Sequence, residues 1–544
     1  MKVPTLSRDQ RERFCGHETG SIRFLGASIL RATSLLGNAS QEGRDESRPG
    51  RLRVRATIRW KLPDVQTSYT PADADYMAKR RLRRHARAWH LWAMGVGAVI
   101  SGDFFGWNYG LATGGFGGML LAVLVMTAMY LGLCFSIAEM SAALPHAGGA
   151  YSFARTAMGP MGGYITGLAE NMEYILTPAV IVVGVGQYLG SVFGTPASWE
   201  PAWWLICYGV FVALNVWGVE MTFHVSVIVT LIALAVLVVF WTGAAPHFDL
   251  ARWASPYFPP GRGRAFSTMF ELPFALWLYL GIEQLPLAAE ESHDPKRDMP
   301  RGIVSGLLTL IAVSFLTVVL SCGIAPGTAK VAVSDQPLFL GFQTIFGLGL
   351  KTRALALVAV TGLIASFHTI IFAYGRQIYS LSRAGYFPSW LSVTHRTRQT
   401  PHRALLAGSG LGLAVALAIH FTPQGSPVGA ILLNMAVFGA VLAYVLQMAS
   451  FLMLRWKFPA IERPYRSPLG TAGAMAAIAV ATLTLIALFR NSDYNKGVLG
   501  AALWFVLGVG YYAVWARHRL VLSPEEQTAI ALALQNNHRR SRDK

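Results

Sequence analysis

The stretch Ser101-Gly102-Asp103-Phe104-Phe105-Gly106-Trp107-Asn108 decides how this chain is read. It lies inside the first long apolar run, about residues 89–112. It holds one aspartate, two glycines and three aromatics. A carboxylate near mid-bilayer costs about 2.5–3.5 kcal/mol on insertion scales. Glycines weaken a helix and let its backbone open. A costly charge beside an expected helix break marks a candidate binding site inside a membrane.

The bulk of the chain agrees. Of 544 residues, 53% are hydrophobic and only 14% charged, against about 25% charged in soluble domains. The net charge of +18 would point to nucleic acid in a soluble protein. Here basic cytoplasmic loops and tails account for it. Cys15, Cys134, Cys207 and Cys322 have no paired spacing, so neither a metal site nor a disulfide framework is expected. No cofactor is implied.

Twelve apolar runs, each near the ~20 residues of a spanning helix, fall at about 89–112, 117–142, 158–190, 202–218, 222–243, 266–290, 302–324, 353–384, 403–421, 428–455, 470–489 and 497–516. Arg155, Lys296, Arg297, Arg301, Arg396, Arg398, Lys457 and Arg463 fall in alternate loops. The connections at 113–116, 191–201 and 422–427 carry no lysine or arginine, while 244–265 carries three arginines as an exception. This bias predicts a multi-pass protein with both termini cytoplasmic. Residues 1–87 read as a basic, disordered cytoplasmic extension, with Met77 as an alternative start of translation. Residues 88–516 form the membrane domain. Residues 517–544 form a basic cytoplasmic tail, helical around Pro524–Gln535.

The sixth run is interrupted like the first. Between Phe270 and Pro286 it carries two prolines, Gly281, and the glutamates Glu271 and Glu283. An uninterrupted helix is not expected there. Matching breaks in helices one and six predict two five-helix halves of inverted topology, plus two extra helices, with substrate held where the breaks meet.

Several segments resemble known transporters. Ala138-Glu139-Met140 and Leu144-Pro145-His146-Ala147-Gly148-Gly149-Ala150-Tyr151 resemble the first cytoplasmic loop of amino acid–polyamine–organocation permeases. So does the longer stretch from Ala288 to Arg301, which closes helix six. Within that superfamily, Ile100–Asn108, Gly114–Gly118 and Ala169–Ala179 resemble the ethanolamine permeases. The resemblance covers about residues 88–516. It implies an all-α membrane fold of twelve helices and secondary active import of ethanolamine. Amino acid permeases hold a substrate carboxylate on free amides at the first break. Asp103 in that neighbourhood would repel a carboxylate and attract an ammonium. An amino acid or polyamine substrate is the alternative.

Four ionisable groups fall near mid-membrane by a rise of ~1.5 Å per residue: Asp103, Glu173, Glu283 and His368. Asp103 is the candidate ammonium ligand, or the cap of a half-helix starting near Phe104. Ser101, Gly102, Gly106 and Gly281 shape the breaks. Phe105, Trp107, Trp277 and Tyr279 are candidate walls offering cation–π contact, or simply core. Glu173, Glu283 and His368 are candidate proton carriers. Glu283 can instead satisfy open amides, and His368 can be a packing residue. Glu139, Arg155, Glu290 and Glu291, at the cytoplasmic ends, are candidate inner-gate residues. An enzyme is not expected, because no nucleophile–base pairing or metal spacing is present. Neither pore-lining charge rings for a channel nor a signalling domain for a sensor is evident.

Overall fold

The computed structural model describes residues 58–59, 68–261, 263–347, 349–422, 428–490 and 495–542. The basic segment before residue 58 lies outside these residues.

Long apolar runs force helices, because a backbone in hydrocarbon must satisfy its own hydrogen bonds. The main helices are α1 (Ala88–Val99), α2 (Leu111–Ala143), α3 (Gly149–Phe193), α4 (Glu200–Trp217), α5 (Val219–Ala244) and α6 (Arg264–Ala275). They continue with α7 (Pro295–Cys322), α8 (Leu350–Arg383), α9 (His402–His420), α10 (Val428–Lys457), α11 (Gly470–Arg490), α12 (Asn495–Val514) and α13 (Pro524–Arg542). Ten stretches among the described residues are long and apolar enough to cross a membrane. The expected first and fourth spans are not among the ten. The first is cut short by its break, and α4 has only 18 residues, opening on Glu200 and Pro201.

Two expected boundaries shift. The connection at 113–116 falls inside α2, and the expected third span, about 158–190, is continuous with the preceding residues from Gly149 as α3, across a kink at Gly159. In the core, α3 packs against α8 and α10, α2 packs against α6 and α7, and α1 packs against α5 and α7.

Of the expected basic extension, the structure describes residues 58–59 and 68–87. A small sheet joins β1 (Ile58–Arg59) antiparallel to β2 (Ser68–Thr70), and β2 parallel to β3 (Leu520–Val521). Tyr69 pairs with Leu520, so the segments flanking the bundle are tied together. Arg80 is buried and donates to Ser392 Oγ at 2.7 Å and to the Ser389 carbonyl at 2.9 Å. The expected tail is likewise a docked helix. Its Glu525 and Glu526 are buried by basic and phenolic partners on α3 and α8 and in the loop after α8, a pairing that tail composition does not show.

Candidate functional site

Both expected breaks are present, and they touch. Helix α1 ends at Val99, a short turn runs Ser101–Phe104, and a 3₁₀ turn follows at Trp107–Gly110. Between them Phe105 is extended and Gly106 has φ +98°, a conformation that favours glycine. After α6 the chain makes a 3₁₀ turn at Leu276–Leu278, passes Gly281 at φ +113°, and continues as a 3₁₀ helix, Ile282–Glu291. A Cβ on Gly102 would lie 2.0 Å from the Trp277 carbonyl oxygen, and one on Gly281 would lie 3.3 Å from the Ala98 carbonyl oxygen. Each break therefore sits against the other's backbone.

Hydroxyls and one amide fasten the breaks to their surroundings. Ser366 on α8 accepts from Ser101 N at 3.0 Å and donates to the Gly97 carbonyl at 2.8 Å. Ser314 on α7 donates to the Leu278 carbonyl at 3.2 Å. Asn108 accepts from Gly106 N at 3.1 Å and donates to the carbonyls of Val331 and Ser334, each at 2.8 Å.

Asp103 is buried, and both its carboxylate oxygens lack a hydrogen-bond partner. The Thr317 hydroxyl on α7 is the polar side chain that faces it. Tyr279 lies close enough to feel its charge. Its hydroxyl pairs with Thr127 Oγ1 at 2.7 Å, and its ring lies 5.0 Å from that of Tyr130. Tyr130 OH meets Tyr444 OH at 3.0 Å.

Beyond Tyr444 lie the glutamates. Glu283 Oε2 accepts from Gly281 N at 3.1 Å, so it satisfies an amide opened by the break. Its carboxyl group also meets those of Glu173 and the Tyr444 hydroxyl. Glu173 Oε2 and Glu283 Oε1 have no other partner. Two carboxyl groups that meet in a buried site repel each other when both are ionised. Glu170, one turn before Glu173, accepts from Gln377 Nε2 at 2.8 Å. A buried acidic and phenolic chain thus runs from Asp103 to Glu170.

The remaining candidates divide. Trp277 is buried beside Gly106, with its ring 3.8 Å from where a Cβ would stand. Phe105 borders Gly184 of α3. Trp107 is fully buried. His368 is not brought to the carboxylates. It pairs with Asn215 Nδ2 at 3.2 Å and with the Thr222 carbonyl at 3.1 Å, joining α8 to α4 and α5.

At the basic end of the bundle the four gate candidates all carry ion pairs. Arg376 grips Glu291 with two bonds, 2.8 and 3.3 Å, and both side chains are fully buried. Arg383 holds Glu290 at 2.6 and 2.9 Å and also Glu525 of α13. Arg155 donates to Glu526 at 2.5 Å, and Tyr69, Tyr151 and Tyr386 each donate to Glu526 at 3.0 Å. Glu139 holds Arg455 at 2.6 Å and Arg463 at 3.1 Å.

Sequence reasoning missed Thr127, Tyr130, Thr317 and Tyr444, because hydroxyl side chains inside apolar runs give no spacing signal. It also passed over Arg376, although an arginine inside an apolar run is costly enough to draw notice.

The model of the amino acid permease family, described as "Amino acid permease", matches residues 90–521. An uncharacterized transporter of Rhizobium meliloti is 29% identical, over 78% of this chain and 92% of its own length. The branched-chain amino acid permease BcaP of Bacillus subtilis is 25% identical, over 81% and 94%. A methylthioribose transporter of the same organism is 23% identical, over 82% and 96%. The family match takes in both breaks and the buried carboxylates Asp103, Glu170, Glu173 and Glu283, and this chain belongs to the amino acid permease family.

Proposed function

We propose that this chain is a secondary active transporter importing a small organic cation across the cytoplasmic membrane, with ethanolamine as the first candidate. The observation that carries this reading is Asp103. It sits at the meeting of the two breaks, buried, with both oxygens unpartnered and no cationic side chain acting on it among the described residues. An ammonium is the group that such a carboxylate lacks. The nearby amides are taken. Ser101 N bonds Ser366, Asp103 N bonds the Ile100 carbonyl, Phe105 N bonds the Ser101 carbonyl, and Gly106 N bonds Asn108. A substrate carboxylate would meet the like charge of Asp103 there, with the Thr317 hydroxyl and Trp107 Nε1 as donors left without a partner. Ethanolamine, with an ammonium and a hydroxyl, fits that chemistry.

The buried meeting of the Glu173 and Glu283 carboxyl groups, one on α3 and one at the second break, supports proton coupling. Loop charges support a cytoplasmic basic end. Its ion pairs would then close the inner side, leaving the site to open outward in this arrangement. The matching breaks support the five-plus-five inverted repeat, with the broken first helix and the short α4 completing twelve spans.

An amino acid substrate is the second reading, favoured by the names of relatives such as the branched-chain permease. The methylthioribose transporter shows that relatives' names are not confined to amino acids. Thermal unfolding of the purified protein separates the readings. Stabilisation by ethanolamine, and not by branched-chain amino acids or polyamines, supports the proposal. Protection by an amino acid alone overturns it.

A further inference from the structure

Three histidines, His85 and His90 close in sequence and His224 far from both, meet at the start of α1. His85 precedes that helix, His90 lies in its first turn, and His224 lies in the first turns of α5. One ring nitrogen from each lies within 4.8 Å of the others. The ring centroids are 5.2, 5.4 and 5.7 Å apart. A fourth histidine, His293, stands with its ring 6.5 Å from that of His85. We propose that His85, His90 and His224 form a binding site for a divalent transition-metal cation of the zinc type, clasping the start of α1 to α5.

Two further observations point to a ligand. The Nε2 atoms of His85 and His90 are buried with no hydrogen-bond partner, and His90 is only 4% exposed. Imidazole nitrogens left bare in this way are uncommon unless something completes them. The Nδ1 of His224 lies 2.9 Å from the Glu220 carbonyl. A carbonyl only accepts, so Nδ1 carries the proton and Nε2 presents its lone pair. That is the outer-shell arrangement that orients metal-binding histidines.

The positions of the three residues are fixed from several sides. His85 N and Ala86 N both donate to the Glu291 carbonyl, at 2.7 and 2.8 Å, and His293 N donates to the Ala86 carbonyl at 2.9 Å. The stretch before α1 is thereby held against the end of helix six. Arg87 N donates to His90 Nδ1 at 3.2 Å. A metal on His90 Nε2 would move the ring proton to Nδ1 and release that long bond. Nitrogen–nitrogen spacing around tetrahedral zinc is about 3.3 Å for bonds of about 2.0–2.1 Å. Small rotations of the exposed His224 and the half-buried His85 suffice to close the set.

The donor set selects the ion. Neutral imidazoles suit zinc, copper and nickel, whereas magnesium and calcium require oxygen. Three protein ligands leave a fourth position for His293 or water.

The test uses the full-length purified protein, stripped by a chelator, with zinc or magnesium chloride added alone. Zinc at about one per chain should raise the unfolding temperature, and magnesium should not. His224→Ala lies at the surface, away from the transport site, and should abolish the zinc shift without changing the metal-free unfolding temperature. His85→Ala should do the same. A zinc shift equal in His224→Ala and the parent protein, or no shift in the parent, would overturn the proposal.

Discussion

Gly102 packs against the Trp277 carbonyl so closely that no larger residue fits between them: a Cβ there would stand 2.0 Å from the oxygen. The breaks of the first and sixth runs are thereby a single structural unit, closed by backbone contact. Gly102→Ala must push that carbonyl away. Overpacking of this kind costs about 1–3 kcal/mol and sometimes more. The variant should unfold at a lower temperature and bind substrate weakly. Gly209→Ala, with nothing within 4 Å of its Cβ position, is the control that should leave both unchanged.

Glu526 receives four donors, from Arg155, Tyr69, Tyr151 and Tyr386. Glu526→Gln leaves Arg155 buried without its counter-charge. Breaking a buried pair in this way costs about 3–5 kcal/mol. The expected result is a large fall in stability and release of α13, read by faster proteolysis after Ser523. An unchanged protease pattern would show that α13 is held by its other contacts.

If the Glu173–Glu283 pair couples transport to protons, Glu173→Gln fixes one member as neutral. Facilitated uptake down a substrate gradient should persist, while accumulation driven by an inward-acid pH gradient should disappear. Uptake into vesicles with and without that gradient reads both quantities.

His146, in the loop between α2 and α3, is held below the ordinary histidine value of about 6.5 by burial and by Arg383, with Glu525 and Glu290 opposing. The folded state therefore binds its proton less readily than the unfolded state. The stabilisation is complete above pH 6.5 and is lost as the pH falls below it. The unfolding temperature should drop between pH 7.5 and 5.5, and His146→Gln should show a smaller drop.

The sequence revealed what membranes make expensive. Asp103, Glu173 and Glu283 stood out because each carries a charge inside an apolar run, and Gly102, Gly106 and Gly281 because glycine and proline mark a break. The structure brings the two breaks together, and Glu173 to Glu283. His368 stood out for the same reason, yet its partners are Asn215 and Thr222, since depth alone does not say which way a side chain faces. The burial of Glu525 and Glu526 was hidden because their partners lie more than 100 residues away. The histidine cluster was hidden likewise, as His224 reaches His85 only through the packing of α5 on α1.

The most direct measurement is uptake of labelled ethanolamine into vesicles, comparing the parent protein with Asp103→Asn. Asparagine keeps the shape and removes the charge. If Asp103 holds the ammonium, uptake falls by at least about tenfold, the loss of one charged hydrogen bond, while the unfolding temperature without substrate stays the same or rises. Unchanged uptake by a folded Asp103→Asn protein would contradict the assignment of Asp103 as the cation site.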